Sequence, residues 1–137
     1  MTDWQHEFIG LFWGEGCLDV QIWHHNKKPN ILFYRPRARI GQNIKNEACL
    51  KEIKNKLGGW LEYDKRNNAL WRLQGKRELL NLIAILNEAV MYSAKKEELH
   101  IFKQIVELMP VKGKHYTPEQ RKELANLTQQ LRQEKKS

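Results

Sequence analysis

Cysteine is nearly absent from this 137-residue chain: Cys17 and Cys49 are its only thiols. Two cysteines build no disulfide framework, and with neither a C-x-x-C spacing nor a nearby histidine they offer no zinc tetrahedron. Both are therefore expected as small core residues. Long apolar runs are missing as well. None approaches the ~18 residues that a membrane span requires, and Met1 to Gly10 carries no signal-peptide pattern. The expectation is a soluble, intracellular protein of cytoplasm, nucleoid or organelle that is not secreted. Acidic residues are in deficit, 16 Asp and Glu against 24 Lys and Arg, for a formal charge of +8. Clustered Lys and Arg gain free energy by displacing counterions from phosphates, which points to a polyanionic partner, DNA or RNA. His24 and His25 are adjacent; on a strand they face opposite ways, share no ion, and are expected to make polar contacts.

A hydrophobic content of 41% with regularly spaced Leu and Ile fits one domain over 1–137, large enough to bury a core unaided, with Lys135 to Ser137 expected to fray. Thr2 and Gln5 have capping-box spacing around Trp4, and Phe8 and Leu11 follow at i+4 and i+7. This predicts a first helix of roughly three turns that Gly14 and Gly16 end. Leu18, Val20 and Ile22 then alternate with Asp19, Gln21 and Trp23, the period of a half-buried strand, up to the turn residues Asn26 to Asn30. A return strand runs from about Ile31 to Gln42, where Pro36 implies an edge or a bulge. Asn46 is placed to cap a helix carrying Leu50, Ile53 and Leu57, which Gly58 and Gly59 terminate. Trp60 to Asp64 and Ala69 to Gln74 form a second hairpin across the polar turn Lys65 to Asn68. Leu79, Ile83, Leu86 and Val90 define another helix, and Leu99, Phe102, Val106 and Met109 one that Pro110 stops. Thr117, Pro118 and Gln120 open a last helix with Leu124, Leu127 and Leu131 as its buried stripe. This order predicts an α+β fold, an αββαββα half-repeat with one four-stranded antiparallel sheet backed by helices, plus C-terminal helices.

Chemistry concentrates in the segment Phe8-Ile9-Gly10-Leu11-Phe12-Trp13-Gly14-Glu15-Gly16. Gly10 and Gly14 lie four apart and leave one helical face flat, so another backbone can approach closely. The chain holds one such helix, so its natural partner is the same helix of a second copy, with Phe8 and Leu11 beside the glycines at the contact. Two-fold symmetry then brings two Glu15 side chains together at the negative ends of two helix dipoles, where like charges demand a cation. Magnesium or manganese matches hard carboxylate oxygens, with Glu15 and the Gly14 carbonyl as the expected ligands. The plain alternative is a helix that ends on a glycine cap with an exposed glutamate.

At these positions the sequence resembles the LAGLIDADG homing endonucleases. It matches the family's glycine at Gly10, its small residue at Gly14, its acid at Glu15 and the glycine at Gly16, with Trp13 where the family usually carries an acid. Two hairpins and the apolar helices follow in the family's order. The resemblance implies a homodimer of the single-motif type that makes a metal-dependent double-strand cut at a long pseudo-palindromic DNA site, in a free-standing or intron-encoded protein. It also implies that Gln42 orders water around the metals. The basic residue near the scissile phosphate is then Lys95, or Lys96 after a one-residue shift of the alignment.

On the return strand Phe33, Arg35, Arg37 and Arg39 fall on one face, with Tyr34, Ala38 and Ile40 on the other. Three alternating arginines without matching acids repel one another unless phosphates or guanine edges accept them; a solvated charged face is the alternative. By the same parity Asp19, Gln21, Trp23, Glu62, Asp64, Arg72 and Gln74 share that face, which in the family lies along the major groove. Arg and Gln suit base edges and Glu and Asp can accept from cytosine amino groups, whereas Lys27, Lys28, Lys65 and Arg66 in the turns are placed for phosphates. The rival expectations are a cleavage-inactive DNA-binding regulator or RNA maturase on the same fold, and an interaction protein whose glycine helix serves only dimerisation.

Overall fold

The computed structural model describes residues 2–24, 27, 31–89, 93–110 and 116–136. Helix α1 (Asp3–Glu15) starts on the expected capping box: Thr2 N donates to Gln5 Oε1 at 3.0 Å and Gln5 N to Thr2 Oγ1 at 3.1 Å. These bonds satisfy two of the amides that a helix start leaves without partners. Gly16 ends the helix in an extended conformation, and the chain passes directly into β1 (Gly16–His24) and back along β2 (Leu32–Asn43). Then come α2 (Glu47–Leu57), the hairpin of β3 (Trp60–Tyr63) and β4 (Asn68–Leu73), α3 (Lys76–Leu86), α4 (Ser93–Glu107) and α5 (Pro118–Lys136). The α+β order expected from the sequence is the observed one.

Three local features differ from expectation. Asn46 stands at the N-cap position of α2 but makes no side-chain cap bond. A 3-10 turn over Ile44–Asn46 precedes α2, with Asn43 Oδ1 accepting from Lys45 N at 3.0 Å, and the Asn46 amide reaches back to donate to Gln42 Oε1 at 3.1 Å. Lys135 and Lys136, expected to fray, form the end of α5, and Lys135 Nζ lies 4.0 Å from Glu98 Oε1. Nor do the cysteines belong to the core: Cys49 is exposed on α2 and Cys17 half-buried on β1. The pleat explains Cys17, because Leu18 and Val20 take the inward positions of that strand and turn its odd-numbered residues outward. Val90 and Ser137 lie outside the described residues.

The sheet order is β1-β2-β4-β3, antiparallel throughout. Pairing of β1 with β2 runs unbroken from Gly16↔Ile40 to His24↔Leu32. Pro36 opposes Val20, whereas the ladder with β4 begins only at Ala38, so the proline sits where β2 has a neighbour on one side and no bulge is needed. One face of the sheet is covered. Leu18, Tyr34, Ala38, Ile40, Ala69, Trp71 and Leu73 pack there with Phe8, Phe12, Leu50, Ile53, Leu79, Phe102 and Leu124 from the five helices in one core. The α2–β3 connection allows this closeness: Trp71 Nε1 donates to the Gly58 carbonyl at 2.9 Å, and a Cβ on Gly59, whose φ is +86°, would lie 2.1 Å from the Arg72 carbonyl. Only glycine fits there. No described helix is long and apolar enough to cross a membrane.

Candidate functional site

The uncovered face of the sheet carries the residues that parity assigned to it. Across β1 and β2 the pairs are Trp23↔Phe33, Gln21↔Arg35, Asp19↔Arg37 and Cys17↔Arg39, and β4 adds Arg72 beside Arg39. The arginines do have an acid. Asp19 Oδ1 accepts from Arg37 Nε at 2.6 Å, and its Oδ2 lies 3.1 Å from Arg39 Nη2, so one carboxylate clamps two guanidiniums from the neighbouring strand. The sequence expectation of arginines without matching acids is thereby corrected, since cross-strand register brings Asp19 opposite Arg37. Arg37 is the most enclosed of the three, its side chain 15% exposed. Arg35 is exposed and lies 4.6 Å above the Trp23 ring, which itself stacks on Phe33 at 5.4 Å. A planar cation held on an aromatic face is kept in one orientation.

Toward the other edge, Arg72 Nε is buried without a hydrogen bond and stands 3.5 Å from Glu62 Oε2, an attraction of charge and not a formed bond. Glu62 Oε1 also accepts from Trp60 Nε1 at 2.9 Å. Trp60, 37% exposed, and Leu70 share this face and were overlooked in the sequence. The parity that selected Glu62 selects Trp60 two residues earlier, so the signal was available. Asp64 is committed elsewhere: its Oδ1 accepts from Arg66 N at 2.8 Å and Asn68 N at 3.0 Å, and its Oδ2 accepts from Asn68 Nδ2 at 3.1 Å. These bonds hold its carboxyl below the usual carboxylate range, the Asn68 amide first among them, and leave it little capacity for a base edge. Lys65 and Arg66 are exposed in that turn, Lys27 is exposed beyond β1, and Gln74 is half-buried just past β4. Lys28 lies outside the described residues. Glu62, Asp64, Asn43, Asn68 and Arg72 border a depression of about 530 Å³ on this side.

At the end of α1 the electrostatics reverse. Glu15 is exposed, and among the described residues no cation or donor holds its carboxylate. Two kinds of glycine surround it. A Cβ on Gly16 would lie 2.6 Å from the Phe12 carbonyl, so the helix-to-strand passage requires that glycine, whereas among the described residues a Cβ on Gly10 or Gly14 would meet nothing within 4 Å. No packing among the described residues requires glycine at positions 10 and 14. Leu11 is half-buried beside them, but Phe8 is not part of that face. Helical spacing turns Phe8 inward, where it is 2% exposed and packs on Trp4, Phe12 and Trp71, so its expected place at a glycine-face contact is corrected.

Lys95 reaches this corner. Its Nζ stands 5.7 Å from the centroid of the Trp13 ring and 3.7 Å from Glu98 Oε2, while the neighbouring Lys96 is exposed and borders a groove between α3 and α4. Gln42 lies two residues past Ile40, the partner of Gly16, on the stretch of β2 that outruns β1, with its Oε1 bound to Asn46. Glu15 and the unpaired carbonyls of the last helical turn are hard oxygen donors of the type that magnesium and manganese take. Among the described residues no three His, Cys, Asp or Glu side chains gather to hold an ion.

The architecture thus defines an α+β half-repeat whose first helix turns a bare glycine face outward and ends on an unmatched acid. A family model described as LAGLIDADG endonuclease matches residues 8–106, from that helix through α4, and the chain belongs to this family. Solved structures agree on the fold. The chain is 26% identical to the archaeal intron-encoded homing endonuclease I-Vdi141I complexed with DNA, over 95% of this chain and 82% of that one, with a TM-score of 0.77. For I-CvuI, solved with a DNA target and magnesium, identity is 18% over 95% and 80% of the two chains and the TM-score 0.81. Against I-LtrWI bound to target DNA, 23% identity and a TM-score of 0.77 extend over 92% of this chain but only 43% of that one. No curated protein sequence matches the chain.

Proposed function

We propose that the protein is a site-specific double-strand DNA endonuclease that works as a homodimer, with Mg²⁺ or Mn²⁺ held between the Glu15 residues of two copies. The observation that carries this reading is Glu15 itself: among the described residues an acid without a partner, beside two glycines with nothing against them. A second copy of α1 laid on Gly10 and Gly14, flanked by Leu11, brings the two carboxylates together at negative helix ends, and a divalent cation relieves their repulsion. The match to about half of I-LtrWI fits a unit that acts in pairs.

The ion supplies an activated water and charge stabilisation at the phosphodiester. The chain's own residues do the rest. Glu15 and the Gly14 carbonyl bind and fix the ion, Gln42 orients water, and Lys95 balances charge gathering on the phosphate oxygens. The open sheet face lies in the major groove, where Arg35, Arg39, Arg72, Gln21 and Gln74 meet base edges and Trp23 and Phe33 offer apolar contact to thymine methyls. Lys27, Lys28, Lys65 and Arg66 engage phosphates and set register. The test is selection of cut sites from a randomised duplex library in Mg²⁺, with Glu15→Ala as control. Recovery of one long, pseudo-palindromic site, lost in Glu15→Ala by roughly 10²–10³-fold or more, is the expected result. Equal cutting by Glu15→Ala refutes the role of Glu15, and tight binding without cutting makes the protein a regulator.

A further inference from the structure

Glu98 is a carboxylate placed where carboxylates rarely go. Its side chain is 10% exposed, on α4, which packs against α5. A buried charge is costly unless paired, and for stability alone an apolar residue of the same size serves as well or better. What Glu98 does with its charge is to divide it: Oε2 lies 3.7 Å from Lys95 Nζ and Oε1 lies 4.0 Å from Lys135 Nζ. Each lysine has a second contact on the segment that carries Glu15. Lys95 sits over the ring of Trp13, and Lys135 donates to Cys17 Sγ at 3.1 Å. Trp13 is two residues before Glu15 and Cys17 two residues after it.

We propose that Glu98 is a positioning residue that holds Lys95 and Lys135 as a pair of cations against Trp13 and Cys17, the residues that flank Glu15 along the chain, so that the C-terminal helix α5 contributes a side chain to the cleavage corner. This rests on the endonuclease reading above. Two ammonium groups gathered this closely repel each other, and the shared carboxylate makes the pair tolerable before DNA arrives. Trp13, standing where the family usually has an acid, offers Lys95 an aromatic face in place of a charge, leaving Glu98 to fix its direction. When a phosphate enters, both ammonium groups are already at its approach, and no lysine chain entropy has to be lost at that step.

Native protein, Glu98→Gln, Lys135→Met and the double variant are compared on the duplex that the native protein selects and cuts in Mg²⁺, with thermal melts to verify folding. Single-turnover cleavage at saturating protein is expected to slow by about 10–100-fold in each single variant, the range typical for loss of a residue that orients an active group. Duplex affinity in EDTA changes by less than about threefold, and the double variant is no slower than the slower single, because both act through one cluster. A change confined to the melting temperature, or losses that multiply in the double variant, overturns the proposal. A second arm needs no DNA: reductive methylation of Lys95 and Lys135 in native protein runs slower than that of exposed Lys122 and speeds up several-fold in Glu98→Gln. Equal methylation in the two proteins also overturns it. If the native protein selects no duplex, the endonuclease reading fails, while the methylation arm still decides whether Glu98 holds the lysines.

Discussion

The two polar regions of this molecule are built on opposite rules. On the open sheet face nearly every charge is matched within the chain: Asp19 between Arg37 and Arg39, Glu62 against Arg72, Arg35 on Trp23. At the end of α1, Glu15 is left unmatched although two lysines stand close to its sequence neighbours, both tied instead to Glu98. The first arrangement presets side-chain directions, so less rotamer freedom is lost when a rigid duplex docks. The second keeps one acid available for something the chain does not contain. On the reading proposed above, the sheet face is finished in advance, and the end of α1 is completed only when a second copy and a metal ion join it.

That contrast can be broken at its unfinished end first. Gly10→Leu adds a side chain where the chain itself has open space, so at low concentration the isolated fold should hold or gain, since glycine in a helix interior is worse than an ordinary residue by up to about 1 kcal/mol. Across the two-fold contact proposed above, the same side chain would clash twice. At about 1–3 kcal/mol per overpacked site, dimer affinity falls by about 30-fold or more, as sedimentation at several concentrations will report. An unchanged dimer constant removes Gly10 from the interface.

The finished end is sharpened by Asp19→Asn, which frees Arg37 and Arg39 without changing volume. We expect discrimination at one or two base pairs of each half-site to weaken by about 1–2 kcal/mol, read from a site-selection profile, with a smaller change in total affinity. Retained discrimination would mean that the clamp serves the fold and not the reading. The smallest effect concerns the β3–β4 turn. The Asp64 carboxyl is depressed below its ordinary value by the Asn68 and Arg66 bonds. Its contribution to stability is therefore present above the unfolded value of 3.8 and is lost as the pH falls through the folded one. Melting temperatures of the native protein should fall more steeply below about pH 4 than those of Asp64→Ala, and parallel curves would contradict the assignment.

Much of this is legible in the sequence. The capping box of α1, the start of α5, where Thr117 and Gln120 exchange the same pair of bonds, and both hairpins follow from local spacing, and period-two alternation alone separated the covered from the open face of the sheet. What stayed hidden depends on neighbours far apart in sequence. Parity places Asp19 and Arg37 on one face, but only the Gly16↔Ile40 register sets them opposite each other. Likewise Lys135 looked like a frayed end because its partners, Glu98 and Cys17, lie 37 and 118 residues away. Phe8 was misplaced for a different reason: within the continuous apolar stretch from Phe8 to Trp13, spacing from the glycines alone did not say which way the core lay. The cysteines were misjudged on composition, which ignores the pleat that turned Cys17 outward.

Whether one cleavage site needs two copies of Glu15 is decided by mixing subunits. Native and Glu15→Gln chains are refolded together in varied ratios, at constant total protein, and the cutting rate on the selected duplex is measured. If both carboxylates are required, the rate follows the square of the native fraction, so an equal mixture retains about a quarter of full activity. A linear dependence, with about half the activity remaining in the equal mixture, would show that a single chain suffices and would contradict the shared site.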